Sequence, residues 1–206
     1  HNLTEIMTGL ISLIDNSELT IDELMEIIPG PDFPTAGTIH GREGIKSAYH
    51  TGKGVVQMRA KMDVESHGKS GDRERIVITE LPYQVNKANL ITKIASLVNN
   101  KDLVGISDIR DESSREGIRV AIDLKKGEIA NVIINKLYKQ TALQSSFGII
   151  FLSIVNGSPR VLNIKDQLQF FIDHRREVVI RRTVFELKKA KEKAHILEGL
   201  KVAVEN

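Results

Sequence analysis

Residues 166–206 read DQLQFFIDHRREVVIRRTVFELKKAKEKAHILEGLKVAVEN, a stretch without proline and with a single glycine, Gly199. At 1.5 Å per residue an unbroken helix of that length reaches about 60 Å. A domain of ordinary size has no core that long to cover, so the stretch reads as an arm, a spacer or an oligomerisation element. Apolar residues recur at Ile180, Val184, Leu187, Ala190, Ala194, Leu197, Leu200 and Val204, three or four apart, and draw one narrow coiled-coil-like stripe down one side. Such a stripe needs a partner. The other faces carry Arg175, Arg176, Arg181, Arg182, Lys188, Lys189, Lys191, Lys193 and Lys201 against fewer acids, a positive run offered to water or to a polyanion. The plain alternative is a surface helix stapled to its own domain, with its charges merely solvated.

Working outward, 206 residues divide naturally into one globular domain, residues 1–164, and the extension, residues 165–206. With 41% hydrophobic residues the globular part can build a core. Aromatic residues are only 4% and tryptophan is absent, which argues against binding bases or sugars by stacking. Cysteine is absent too, so there is no disulfide framework, thiolate metal site or cysteine nucleophile. The longest apolar run, residues 148–155, is too short to span a bilayer, and the first residues lack the basic flank of a secretory leader. The expectation is a soluble, cytoplasmic protein with no membrane partner.

The net charge is only +2, but its distribution is uneven. Residues 1–41 hold seven acids and no Lys or Arg. In residues 42–61 the balance inverts, with Arg42, Lys46, Lys53, Arg59 and Lys61 opposed by Glu43 alone. Residues 159–201 carry a local net of +5, so two basic stretches lie on a mildly acidic body. That pattern points weakly to a long anionic partner such as a duplex.

The order of elements indicates an α+β domain with a mostly antiparallel sheet and flanking helices, followed by one long coiled-coil-type helix. Asn2 with Glu5, and Thr20 with Glu23, are capping-box signatures for helices ending near Ile14 and Ile27. Pro29, Pro31 and Pro34 then forbid helix and central strand alike. A short helix is expected over residues 42–50. Beyond it Val56, Met58, Ala60, Met62 and Val64 alternate with polar residues, a period of two that predicts one strand and places Arg59 and Lys61 on one face of it. Residues 66–72 read as a hairpin turn and residues 75–81 as the returning strand. Asn86 caps a helix with Leu90, Ile91, Ile94, Leu97 and Val98 on its apolar face. Two strands are expected over 104–109 and 118–124, a helix around Ile129, Val132, Ile133 and Leu137, and a buried strand over 147–155. Asn156-Gly157 signals a two-residue hairpin before a strand over 160–164.

No catalytic constellation emerges. Histidines His1, His40, His50, His67, His174 and His195 show no metal-ligand spacing with a carboxylate. Gly52-Lys53-Gly54 reads as a turn before a strand, not as a phosphate loop. Asp108, Asp111 and Glu112 cluster acids that suit Mg²⁺, but Arg110 and Arg115 among them favour ion pairing instead. Tyr49, Tyr83 and Tyr138 follow Ala48, Pro82 and Leu137, so none has an adjacent cation to activate it, and each reads as a half-buried packing residue.

Four motifs occur in one order: Ile28-Pro29-Gly30-Pro31-Asp32-Phe33-Pro34-Thr35; Leu81-Pro82-Tyr83-Gln84-Val85-Asn86-Lys87; Arg110-Asp111-Glu112-Ser113; and His174-Arg175-Arg176-Glu177-Val178-Val179 with His195-Ile196-Leu197-Glu198-Gly199-Leu200. Together they closely resemble the A subunit of bacterial DNA gyrase, and the resemblance covers essentially the whole chain. The A subunit of topoisomerase IV is the nearest sister. What the resemblance implies is a type IIA topoisomerase, a heterotetramer that cuts one duplex, passes another through with ATP, and reseals the break. Its partners would be double-stranded DNA, the gyrase B subunit, plus a second A subunit. The chain would be the tower domain and the first of two antiparallel helices of the exit-gate arm. The family's nucleophile, a Tyr directly preceded by Arg, belongs to an upstream winged-helix domain, so no catalytic residue and no cofactor is expected in this chain. ATP and Mg²⁺ would act through the other subunit, and the chain alone is expected to be inactive.

In that setting Arg42, Lys46, Lys53, Arg59 and Lys61 become candidate phosphate contacts along a DNA-facing side, acting by charge without base reading. Solvated surface charge is the alternative for all five. Outside the family, the chain reads as an α+β adaptor that dimerises through its long helix.

Overall fold

A computed structural model describes residues 1–68 and 73–205. The chain opens with α1 (Leu3–Asp15) and α2 (Ile21–Ile27). Asn2 Oδ1 accepts from the backbone of Thr4 at 2.8 Å and of Glu5 at 3.4 Å, while Thr20 and Glu23 close a full reciprocal box. The proline connector follows without helix or regular strand. It holds its place by packing Phe33 between Tyr83 and Phe147, with ring centroids 5.5 and 5.0 Å away.

The short strand β1 (Thr38–His40), which the sequence reading did not anticipate, leads into α3 (Glu43–Thr51) and β2 (Lys53–Arg59). Strand β3 (Lys61–His67) pairs with β4 (Arg73–Glu80) in register up to His67 opposite Arg73. The turn expected over 66–72 falls largely on residues 69–72, which lie outside the described residues. Next come α4 (Lys87–Asn99), capped by Asn86, then β5 (Ile106–Asp111), β6 (Val120–Leu124) and α5 (Ala130–Gln140). The globular part ends with β7 (Gln144–Ile150), β8 (Leu152–Val155) and β9 (Ser158–Val161), and α6 (Ile164–Glu205) completes the chain. Every strand pair is antiparallel, in sheets of order β1-β2-β7, β3-β4-β6-β5 and β8-β9.

Two expected strands are each divided between sheets. The alternating run over 56–65 breaks at Ala60, where the chain leaves the first sheet for the second. Ala60 is buried, and its N–H is taken by the Leu143 carbonyl at 2.8 Å instead of by a ladder partner. Burial keeps its period of two through the bend, so hydropathy conceals the change. Arg59 and Lys61 therefore stand in different sheets and share no strand face. The run over 147–155 is likewise cut at Phe151, whose N–H donates to Gly52 and whose carbonyl accepts from Leu162. It is not a buried strand, for Ile150, Leu152 and Ile154 are exposed. Asn156 and Gly157, at φ 51° and 77°, form the primed turn their types favour. The strand expected over 160–164 stops at Val161, and Ile164 already begins α6.

Two apolar clusters fill the body. One lies between the second sheet and α4 and α5, around Ile78, Ile94, Ile122 and Ile133. The other gathers α1, α2, α3, the inner face of the first sheet and the base of α6, through Ile164, Leu168 and Ile172. Burying such a side chain stabilises by roughly 1.5–3 kcal/mol, so three anchors are enough to fix the direction in which α6 leaves. The helix has 42 residues, a length of about 63 Å at 1.5 Å per residue. From Val179 to Glu205 every residue is exposed, the apolar stripe included.

Candidate nucleic-acid interface

Alternation along β2 decides where its cations point. Val56 and Met58 face inward, and α3 lies on that side so closely that a Cβ on Gly54 would collide with the Gly44 carbonyl oxygen. Lys53, Val55, Gln57 and Arg59 project from the opposite face. Register adds Thr38 and His40 from β1 and Gln144, Ser146 and Ile150 from β7. Among the described residues, no carboxylate stands on this face of the three strands.

Arg59 is held in place there. Its Nε donates to Gln144 Oε1 at 2.7 Å, Nη1 donates to His40 Nε2 at 2.8 Å, and the guanidinium carbon lies 4.7 Å from the Tyr138 ring centre. Because the guanidinium can only donate, His40 accepts through Nε2 and carries its proton on Nδ1. Two of the five guanidinium donors are used, and the planar group is pre-ordered for an anion.

The five sequence candidates do not form one patch. Arg42, at the N-cap of α3, and Lys46, one turn on, line a hollow with Asp22, Glu26 and Glu43, and Lys46 Nζ is 3.5 Å from Asp22. His50 bonds the same carboxylate at 3.1 Å, and this bond, with the charge of Lys46, holds Asp22 below the usual carboxylate range. Three acids facing two cations make a poor phosphate site. Lys61 sits in the second sheet, 3.7 Å from Glu80, whose other oxygen accepts from Gly37 N at 2.7 Å. Lys53 and Arg59 alone of the five share the carboxylate-free face.

The three tyrosines are engaged in packing or hydrogen bonds, and the Tyr49 hydroxyl lies 2.9 Å from His1 Nε2. Tyr49 is fully buried, not half-buried, and burial pushes its hydroxyl far above the ordinary value. The Tyr138 hydroxyl donates to the Ala60 carbonyl at 3.1 Å and is likewise raised by burial, with Arg59 opposing. Tyr83 packs on Phe33 and Phe147.

The acids near β5 are engaged in ion pairs. Arg110 reaches Asp108 at 2.7 Å, Asp123 at 3.0 Å and Glu112 at 3.3 Å. Arg119 grips Glu65 with two nitrogens, at 2.9 and 3.1 Å, and also reaches Glu112. Hydrogen bonds from Lys87 and then Ser113 pull Asp111 down to about 2. Register puts Glu65, Arg75, Asp123 and Asp108 in one row across the four strands of the second sheet. The sequence reading named Arg110 but missed Glu65, Lys87, Arg119 and Asp123, whose partners lie tens of residues away. The available signal was charge on alternate strand positions.

Comparison with known proteins places this geometry in context. The family of the DNA gyrase/topoisomerase IV A subunit matches residues 1–206. The chain belongs to that family. As a segment of such an A subunit it is 58% identical over 206 residues to the DNA gyrase A subunit of Pseudomonas aeruginosa, a match that covers 100% of this chain and 22% of that protein. It is 53% identical over 207 residues to the Staphylococcus epidermidis protein of the same name and 53% over 206 to that of Salmonella typhimurium, covering 100% of this chain and 23% of each. The chain thus spans less than a quarter of the length of these relatives. Among the described residues no helix is long and apolar enough to cross a membrane.

Proposed function

We propose that this A-subunit segment is a non-catalytic strut of an ATP-dependent type IIA topoisomerase. It carries duplex DNA on the outward face of its first sheet and connects that support, through α6, to the arm of the exit gate. The observation that carries the reading is α6 itself: a helix anchored by three turns in the core that then runs from Val179 onward with its apolar stripe exposed. A helix of that design is a lever arm awaiting a second helix. An open groove of about 510 Å³ between α1 and α6, lined by Met7, Ile11, Ile14, Phe171, Val179 and Ile180, continues the stripe to the base of the arm and suits the end of a returning helix.

On this reading the second A subunit pairs through the distal arm, and the B subunit supplies ATP hydrolysis and Mg²⁺. Strand cleavage belongs to a tyrosine elsewhere in the full-length protein, and the assembly works in the cytoplasm. The gyrase reading is preferred over topoisomerase IV because the relatives above carry the gyrase name. The duplex contact is made by Lys53 and Arg59 with phosphates, supported by the neutral hydrogen-bonding groups of Gln57 and Ser146.

Titration of duplex binding against salt tests it. In the full-length protein, Lys53→Gln together with Arg59→Gln should make the log–log salt slope shallower by about 1.8, since each phosphate contact contributes roughly 0.9. An unchanged slope would remove this face from the interface.

A further inference from the structure

The helical turn gathers most of the cations of α6 on one side. At about 100° per residue, six of the eight cations between Arg175 and Lys193, namely Arg175, Arg181, Arg182, Lys188, Lys189 and Lys193, fall within about 140° of the helix circumference, while Arg176 and Lys191 stand on the other side. The apolar stripe between Ile180 and Leu197 is centred about 160° away from them, nearly on the opposite side. One acid, Glu192, lies inside the cationic arc. The arc covers eighteen residue steps, about 27 Å of helix, and its six cations are all exposed.

Local pairing does not neutralise it. Arg181 meets Glu177 at 3.6 Å and Arg182 meets Glu186 at 3.8 Å, in exposed pairs along the helix that are weak and easily exchanged. Lys189 lies over the Phe185 ring at 5.1 Å, which steadies its stem against the helix surface. When a second helix covers the apolar stripe, it cannot also cover a face nearly opposite. The cations therefore remain outward in the paired arm.

We infer that this face of α6 is a second duplex-contacting surface, which meets the phosphates of double-stranded DNA running alongside the arm. The inference rests on the strut reading above and extends it from the sheet to the arm. A straight row of cations matches a rod-shaped polyanion better than a compact partner, because a duplex presents a phosphate every 1.7 Å or so along its axis. The arc holds no amide, and its one aromatic, Phe185, lies under Lys189, so contact is by charge and independent of sequence.

Site-specific photocrosslinking in the full-length protein, bound to its B subunit with relaxed plasmid present, decides the matter. A photoreactive amino acid replaces Lys189 on the cationic arc, Leu187 on the stripe, or Val55 on the sheet face. Crosslinks to DNA from position 189, and to protein from position 187, are the expected result. DNA captured at position 55, with none or only protein captured at 189, overturns the arm contact and leaves the strut reading standing. DNA captured at neither position removes both. A second variant, Arg182→Gln with Lys188→Gln, Lys189→Gln and Lys193→Gln, keeps good helix formers in place. Its strand passage should show a salt slope shallower by about 0.9 for each phosphate neutralisation removed, up to about 3.6, with the amount of cleaved complex unchanged. A slope equal to that of the unaltered enzyme refutes the inference.

Discussion

Leu168 and Leu187 stand on one helix and should respond oppositely to the same perturbation. Leu168 is 6% exposed, packed in the core beneath α1, whereas Leu187 is 52% exposed on the stripe of the projecting arm. Leu168→Ala removes a buried isobutyl group from a site bounded by three helices and the inner sheet face. The expected cost is about 2–5 kcal/mol, of which transfer accounts for roughly half and the residual cavity for the rest. For a chain of this length, each kcal/mol lowers the midpoint of melting by about 2–4 °C, so the variant should melt about 4–20 °C lower. Leu187→Ala in the same chain should change stability by no more than about 0.5 kcal/mol, because it leaves no cavity and alanine is the better helix former. Urea titration followed by circular dichroism, with thermal melts alongside, measures both. In the full-length protein the same Leu187→Ala should instead cost upwards of 1 kcal/mol, about the value of a partly buried apolar side chain in a paired arm. Equal losses for the two variants in this chain, or no loss for Leu187→Ala in the full-length protein, would refute the division of α6 into anchored base and partner-seeking arm.

Other consequences follow from single sites. Asp111 is held near 2 by Lys87 and Ser113, below its ordinary value, so it favours folding above about pH 4 and that contribution disappears as pH falls toward 2. Lys87→Ala should therefore lower stability modestly above about pH 4, since the pair is substantially exposed, and flatten the acid limb of a stability–pH profile between about pH 4 and 2, leaving stability below about pH 2 nearly unaffected. Gly157→Ala, at φ 77°, should destabilise by about 1–2 kcal/mol in chemical denaturation, because an alanine side chain is strained in the left-handed region. Incubated with supercoiled plasmid, ATP and Mg²⁺, the isolated chain should give neither relaxed nor linear product on a gel, for Tyr49 is buried, the Tyr138 hydroxyl is bonded to Ala60 and the Tyr83 ring is packed on Phe33 and Phe147. Linear plasmid would contradict the assignment of cleavage to another part of the full-length protein.

Much of the architecture was legible because its signals are local. A capping box is read within four residues, as at Thr20 and Glu23, and the Asn156-Gly157 turn within two. The forty-residue absence of helix breakers could mean little but α6. The sheet boundaries were not legible, because a change of sheet at Ala60 or Phe151 leaves the two-residue rhythm intact. The chain turns there when a distant backbone, Leu143 or Gly52, takes the hydrogen bond. The short β1 was missed for a similar reason: three residues carry no period, and only pairing with β2 makes them a strand.

The candidate interface shows the same split. Composition along the chain located a basic stretch at residues 42–61, since charge density is a one-dimensional property. Which of those charges meets solvent unopposed is a three-dimensional one. Folding set Arg42 and Lys46 among the acids of α2, turned Lys61 toward Glu80, and left Lys53 and Arg59 on a face without carboxylates. Sequence by itself determined the arm, the caps and the family motifs, because each rests on neighbours within a few turns of chain. Tertiary structure alone decided which cations compete for an anion, because Coulomb attraction depends on distance through space and residues far apart in sequence supply the opposing charges.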